Sequence, residues 1–280
     1  MSALSWKLKT RTLTFGQEPL VMGILNVTPD SFSDGGQFVD PAAAQQRALA
    51  MVEEGADILD VGGESTRPYS SRIDEQTELN RVSPVLRAIC ESVTVPVSID
   101  TTKSAVARAA LDLGAEIIND ISGFQFDPKM IELAVQSKAG VCAMHIQGTP
   151  QDMQDNPHYD DLIGDISAFL ADRRDALIAA GVEAERICLD PGVGFGKTHQ
   201  HNLDLIANCH RLHELGQPIL VGHSRKGFIT RLLGENADQT AGTIGSALSL
   251  ARQGVQIIRV HDVRAVKHAL RLFAATGGMR

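Results

Sequence analysis

PVSIDTTKSAVARAALDLGAEIIND, residues 96–120, carries one full structural period. Pro96–Ile99 is a short apolar run that stops at Asp100. Lys103–Leu113 has the spacing and length of an amphipathic helix. Leu113-Gly114-Ala115 then ends that helix, because a Gly at the position after the last turn can adopt the left-handed conformation. A second apolar run, Glu116–Ile118, follows at once and stops at Asn119-Asp120. Strand, polar end, helix, glycine, strand, polar end is the signature of a β/α repeat.

The same period extends to both ends of the chain. Further apolar runs fall at Leu20–Leu25, Ile58–Val61, Gly140–Met144, Ile187–Leu189, Pro218–Val221 and Gln256–Val260. They are short, rich in Val, Ile and Leu, and do not alternate, as strands of a parallel sheet covered on both faces should be. Asp40–Glu54 and Tyr159–Ala180 read as crossover helices. The glycine signal recurs at Glu54-Gly55-Ala56, Ala180-Gly181-Val182 and Gln253-Gly254-Val255. Eight such units without a Pro- or Ser-rich linker predict a single α/β domain over residues 1–280, a closed (β/α)₈ TIM barrel. Residues 1–18 are expected to form a short hairpin closing the barrel bottom. An open doubly wound sheet is the alternative, but no G-x-G-x-x-G follows the first strand. Residues 145–160, with Pro150 and Pro157, read as an irregular loop.

Composition narrows the function. The chain has 280 residues, 43% hydrophobic and 21% charged, enough for a sizeable core and close to one barrel in length. A net charge of −8 offers no broad basic face for nucleic acid. No run is long enough for a membrane span, and the first residues lack the apolar core of a signal peptide. The four cysteines form no CxxC pair and read as buried reduced thiols, so the expected location is the cytoplasm.

In a barrel of this kind, chemistry collects at the C-terminal ends of the strands. Here the strands run into Asn26, Asp60, Asp100, Asn119, His145, Asp190, Ser224-Arg225-Lys226 and Arg259 with His261. Any one carboxylate could simply cap the next helix. Asn26, Asp100, Asn119 and Asp190 together converge on one mouth, where unpaired buried polar groups would each cost roughly 1–3 kcal/mol without a ligand. Amides and carboxylates suit a flat heterocycle rich in N–H donors and ring nitrogens. Lys226, Arg259 and His261 form a cationic set after the last two strands, the side on which many barrels bind phosphate. They are expected as fixed positive charges on the rim of the cavity. Arg259 interrupts an apolar run and should therefore point into the mouth.

Seven segments resemble dihydropteroate synthases: GILNVTPDSFSDGG (23–36), DVGGESTRP (60–68), SID (98–100), IND (118–120), LDPGVGFGK (189–197), GHSRK (222–226) and IRVHDV (258–263). The resemblance spans residues 20 to 273 or so. It implies condensation of 6-hydroxymethyl-7,8-dihydropterin diphosphate with p-aminobenzoate to give 7,8-dihydropteroate and diphosphate, a transferase step of folate biosynthesis and a sulfonamide target. It implies that Asp100, Asn119, Met144, Asp190, Phe195 and Lys226 hold the pterin. Asn26, Thr66, Arg259 and His261 would take the diphosphate, with Asn26 also binding Mg²⁺. Phe32, Ser33 and Asp34 on one loop, and Thr66, Arg67 and Pro68 on another, would fold over p-aminobenzoate. Members of the family are generally homodimers. Two positions depart from many members, which have Ser where this chain has Gly227 and Gly where it has Tyr69.

The chemistry that follows is C–O bond cleavage before or with arylamine attack. Mg²⁺, Arg259, His261 and the N-terminus of the helix opened by Ser224-Arg225-Lys226-Gly227 would neutralise the departing diphosphate, and Asp100 and Asp190 would stabilise cationic character on the pterin. His261 is either a diphosphate donor or a proton carrier. Alternatives are a pterin-dependent methyltransferase, which would not need the cationic set, and a non-catalytic pterin-binding paralogue. A zinc hydrolase is disfavoured: the nine histidines include no HExxH.

Overall fold

A computed structural model describes residues 4–28 and 40–279. Two short antiparallel strands, β1 (Ser5–Lys7) and β2 (Thr12–Thr14), come first. Eight parallel strands follow: β3 (Leu20–Asn26), β4 (Ile58–Gly62), β5 (Val97–Asp100), β6 (Ile117–Asp120), β7 (Gly140–Met144), β8 (Ile187–Asp190), β9 (Leu220–Gly222) and β10 (Ile257–Val260). Their order in the sheet is β8-β7-β6-β5-β4-β3-β10-β9. A parallel bridge between Leu189 and Ile219 joins the outer members, with the Leu189 N–H donating to the Pro218 carbonyl at 2.9 Å. The sheet therefore closes into a TIM barrel, and the open-sheet alternative is excluded.

The helices between strands are α1 (Pro41–Glu53), α2 (Glu75–Cys90), α3 (Ser104–Asp112), α4 (Met130–Ser137), α5 (Leu162–Ala180), α6 (His199–Ala207), α7 (Gly227–Leu233), α8 (Gln239–Arg252) and α9 (Val263–Ala275). Four of the turns back into strands use the glycines read from the sequence. Gly55, Gly114, Gly181 and Gly254 have φ of +102°, +111°, +111° and +76°. A side chain is disfavoured there, so the helix stops and the chain re-enters the sheet.

Side chains along a strand alternate between faces, and this alternation sorts the barrel. Val21, Leu59, Ile118, Val141, Leu189 and Ile258 face the helices in one large core. Met22, Ile58, Ile117, Cys142, Cys188, Leu220 and Ile257 fill the inside of the barrel near the strand N-termini. Trp6 and Leu8 from the first hairpin, 0% and 1% exposed, pack against that inner layer from below. Trp6 Nε1 donates to the Arg186 carbonyl at 2.8 Å, and Arg186 Nη1 donates back to the Leu8 carbonyl at 2.7 Å. Burying an indole removes about 200 Å² from water, worth roughly 5 kcal/mol before entropy, a large share of what anchors the Ser5–Thr14 hairpin to the barrel floor.

Candidate active site

Two residues further along each strand, on the same inward face, the apolar layer gives way to polar groups. Ile58 is followed by Asp60, Ser98 by Asp100, Ile117 by Asn119, Cys188 by Asp190 and Ile257 by Arg259. The register sets them side by side: Asp60 opposite Ser98, Asp100 opposite Asn119, and Asp190 opposite Met144. The upper layer of the barrel is thus a ring of acid, amide and guanidinium groups.

Their contacts make one network. Arg259 Nε donates to Asp60 Oδ2 at 2.6 Å, and its Nη2 to Asp100 Oδ2 at 2.7 Å. Asn119 Nδ2 donates to the same Asp60 oxygen at 3.1 Å. Burial works against the Arg259 charge, but Asp60 and Asp100 outweigh it and hold the guanidinium firmly protonated. Burial pushes the Asp100 carboxyl up to about 7, against the pull of Arg259. Asp190 is 5% exposed, and burial pushes it up to about 6, against Lys226 and the Gly192 N–H that it accepts at 2.7 Å. Burial in turn takes Lys226 down to about 7, opposed by Asp190. The Lys226 ammonium donates to the Val193 carbonyl and lies 4.4 Å from the centre of the Phe195 ring. Carboxylates held near neutrality beside cations, at the mouth of a barrel, mark a functional site.

Met144 is buried, and with Ile121, Ile146 and Met153 it forms a small apolar cluster against which Phe195 and Phe126 pack. This gives the polar ring an apolar wall. A cavity of about 350 Å³ opens beside it, lined by Glu64, Thr66, Asp100, Thr101, Ile121 and Pro150 among others. Thr66 and Asp100 therefore share a hollow, and Arg67 and Pro68 stand exposed on the same loop. Asn26 ends β3, half-buried, in register with Gly62. His261 follows β10, with Nδ1 3.1 Å from Ser224 Oγ. Burial, with Arg259 and Arg225, lowers it to about 4, so the imidazole is neutral at pH 7. Phe32, Ser33 and Asp34 lie outside the described residues.

Two readings from the sequence need correction. The cations do not form a separate rim: Arg259 sits between Asp60 and Asp100, and Lys226 lies beside Asp190. Strand β4 does not end at Asp60 but runs on to Gly62. Asp60 is therefore fully buried below the mouth and is the hub of the network, a role the sequence analysis did not give it. The signal was present, since Asp60 stands two residues after Ile58, in step with Asp100, Asn119 and Arg259 on their strands. Of the neighbouring cations, Arg225 is surface chemistry, exposed and paired with Asp262 at 2.5 Å.

The sequence profile of the pterin binding enzymes matches residues 22–261. A dihydropteroate synthase of Haemophilus influenzae is 43% identical over 92% of this chain and 94% of its own length. A crystal structure of the Yersinia pestis dihydropteroate synthase in complex with a sulfonamide drug superposes with a TM-score of 0.91, at 42% identity, covering 99% of this chain and all of that one. The Xanthomonas albilineans dihydropteroate synthase in complex with 7,8-dihydropteroate gives a TM-score of 0.87 at 39% identity, covering 97% and 98% of the two chains.

Proposed function

Because the chain belongs to the pterin binding enzymes and acts as a dihydropteroate synthase, we propose that its ring of inward-facing acid and amide groups holds the pterin, with p-aminobenzoate approaching from the adjoining cavity. The observation that carries this assignment is the single network joining Asp60, Asp100, Asn119 and Arg259 at one end of the barrel. Asn119, Asp100 and Asp190 present hydrogen-bonding edges at the strand ends, and Met144 and Phe195 supply apolar surface for the ring faces. Lys226, stacked over Phe195, is positioned to donate to a ring nitrogen or carbonyl. Thr66 lines the hollow that adjoins Asp100, where the arylamine would sit.

Each step follows from charge. Diphosphate must leave a pterin CH₂, so electron demand rises on the ring as negative charge grows on the leaving group. Asp100 and Asp190, fixed beside the ring, stabilise the first, because preorganised charge in a site removed from water needs no reorganisation. His261 and Thr66 receive the second by hydrogen bonding. The neutral His261 imidazole, with Nδ1 3.1 Å from Ser224 Oγ, would donate to the diphosphate through Nε2 in the tautomer in which Nδ1 accepts from Ser224. The arylamine is uncharged near pH 7 and needs no strong base. Closing the mouth with the loops favours amine over water as the nucleophile.

We assign Mg²⁺ to Asn26. Among the described residues no cluster of three or more His, Cys, Asp or Glu side chains is placed to hold a metal. A neutral amide oxygen with diphosphate oxygens and water is the donor set that Mg²⁺ accepts, since it rarely occupies all-protein cages. When bound, the ion would neutralise leaving-group charge. We also propose a cytoplasmic homodimer. Supporting this are Cys142, Cys188 and Cys209, all free and buried, and Leu232, Leu233 and Leu272, exposed by 59%, 56% and 67% on α7 and α9. Light scattering would test the dimer.

The assignment is tested by measuring diphosphate release from the pterin diphosphate with and without p-aminobenzoate and Mg²⁺, in the wild type and in Asn119→Ala. Release should require all components, and the variant should lose pterin affinity. An Asn119→Ala enzyme with unaltered pterin affinity would remove the pterin from this ring.

A further inference from the structure

A second buried charge cluster, outside the pterin ring, joins three elements that meet at the mouth. Lys103, 6% exposed, places Nζ 2.5 Å from Glu78 Oε2 and 2.6 Å from Glu64 Oε2. Glu78 belongs to the first turn of α2 and is fully buried, with Oε1 unpaired among the described residues. Glu64 opens the loop after β4. Its other oxygen, Oε1, accepts the Ile73 N–H at 2.8 Å. One carboxylate thus closes the stretch from Glu64 to Ile73 into a ring, whose far side carries Thr66, Arg67 and Pro68. Ser70 Oγ donates to the Ser65 carbonyl at 2.6 Å, and Arg81 Nη1 to the Gly63 carbonyl at 2.9 Å. Gly63 lets the loop lie flat on α2: a Cβ there would stand 2.6 Å from Val82 Cγ1 and 3.1 Å from Glu78 Cγ.

The other end of this linkage is Asp100. Lys103 follows it by three residues, and the Lys103 N–H donates to Thr101 Oγ1 at 3.2 Å. Asp100, Thr101, Glu64 and Thr66 line one cavity. A buried ion pair is a poor source of stability, because desolvation cancels most of its attraction. One lysine facing two carboxylates is poorer still. What the arrangement does provide is a fixed distance between the Thr66 loop and the Asp100 strand end.

We infer that Lys103, acting through Glu64 and Glu78, is a positioning residue that sets the Thr66–Pro68 segment against Asp100, so that the arylamine nitrogen meets the pterin carbon. The inference rests on the placement of the two substrates proposed above. Lys103 touches neither substrate. Its removal acts on the arylamine half of the site and leaves in place the Asp60–Asn119–Arg259–Asp100 network that orders the pterin-facing groups.

The test uses the full-length enzyme as wild type, Lys103→Met, Lys103→Arg and Glu64→Gln. Each is assayed for the KM of both substrates, for dihydropteroate formed per diphosphate released, and for thermal unfolding. Lys103→Met should raise the KM for p-aminobenzoate by about tenfold or more, as small misplacements do. It should leave the KM for the pterin diphosphate within about twofold and lower the yield of dihydropteroate per diphosphate as water competes; these margins follow from a displaced loop over an intact pterin ring. Lys103→Arg should recover part of both. Glu64→Gln keeps an oxygen for the Ile73 N–H and leaves the Lys103–Glu78 pair intact, so it decides the matter should Lys103→Met not fold. An equal rise in both KM values, or lost stability with unchanged kinetics, would overturn the inference. A wild type making no dihydropteroate from pterin diphosphate and p-aminobenzoate would instead refute the substrate placement beneath it.

Discussion

Replacing Asp190 by Asn should make the unliganded protein more stable above pH 6 and nearly inactive. Burial lifts the Asp190 carboxyl from its ordinary 3.8 to about 6, with Lys226 and the Gly192 N–H opposing the rise. At about 1.4 kcal/mol per pH unit, keeping this carboxylate charged costs the fold roughly 3 kcal/mol at neutral pH. The folded state binds the proton more tightly than the unfolded chain does, so it carries more protons between about pH 4 and pH 6, and stability falls as pH rises through that interval. Asn has no charge to desolvate, and its Oδ1 can still accept the Gly192 N–H. Part of the gain disappears because Lys226, already lowered to about 7 by burial, loses its counter-charge. The net gain at pH 8 should be roughly 1–3 kcal/mol, or about 2–12 °C in Tm for a chain of this size. It should vanish near pH 4, where the wild-type carboxyl is neutral as well.

Two measurements on the same preparations check this. Thermal unfolding of wild type and variant at pH 4 and pH 8, without ligand, gives the stability difference and its pH dependence. Dihydropteroate formation at pH 8 gives the activity, which should fall by about 10² or more if a preorganised charge has been removed. A variant less stable than wild type at pH 8, or one whose advantage persists at pH 4, would refute the claim that burial strains this carboxylate. Undiminished turnover would refute its role beside the developing cation.

Three further substitutions probe other parts of the site. Arg259→Met strands Asp60 and Asp100 without their cation and should cost about 3–5 kcal/mol in urea unfolding; the double variant with Asp60→Asn should recover a good part, and simple additivity would break the network argument. Because Arg259 also orients Asp100, the single variant should weaken free pterin as well as the diphosphate-bearing substrate in calorimetric titration. Tyr69 has φ +61° and is 65% exposed, with its hydroxyl 3.1 Å from Asp155 Oδ1. Tyr69→Gly should therefore relieve about 1 kcal/mol of backbone strain and hold or raise the Tm, where loss of an important staple would lower it. A Cβ on Gly227 would meet nothing within 4 Å. Gly227→Ser should therefore fit at the start of α7 and, by offering a hydroxyl to the p-aminobenzoate carboxylate, lower its KM roughly two- to tenfold; an unchanged KM in steady-state assays would show the carboxylate lies elsewhere.

The parts of this fold that were legible in the sequence are those set by local chemistry. Gly55, Gly114, Gly181 and Gly254 could be placed because a left-handed helix end tolerates little else, and all four have the positive φ their position required. The strand positions followed from apolar runs between such stops. Which face each residue takes was harder, because a strand buried on both sides shows no alternation in hydrophobicity. For that reason Asp60 was placed at a strand end when it is fully buried inside the polar ring, with Val61 and Gly62 still in β4. Lys103, Glu64 and Glu78 were invisible for a different reason. They lie up to 39 residues apart, and only the neighbouring packing of β4, α2 and β5 makes them partners.

The interleaving of cations with acids changes how the site should handle moving charge. A rim of unpaired cations would grip diphosphate tightly and also hold the product. Arg259 is instead engaged by two carboxylates at 2.6 and 2.7 Å, and Lys226 is balanced by Asp190. Such pairs add little net field to an incoming anion, since the opposed charges cancel over a few ångströms. In the proposed placement, positive character growing on the pterin would meet Asp100 and Asp190 already fixed beside it, and the negative charge growing on the leaving group would meet cations held in the same network. Stabilisation then appears in the transition state more than in the ground state, the condition for a gain in kcat and not merely in affinity. Burial raises Asp100 and Asp190 and lowers Lys226, and the opposite charges beside them only partly offset it, so each of these groups gains from any charge of opposite sign that develops next to it.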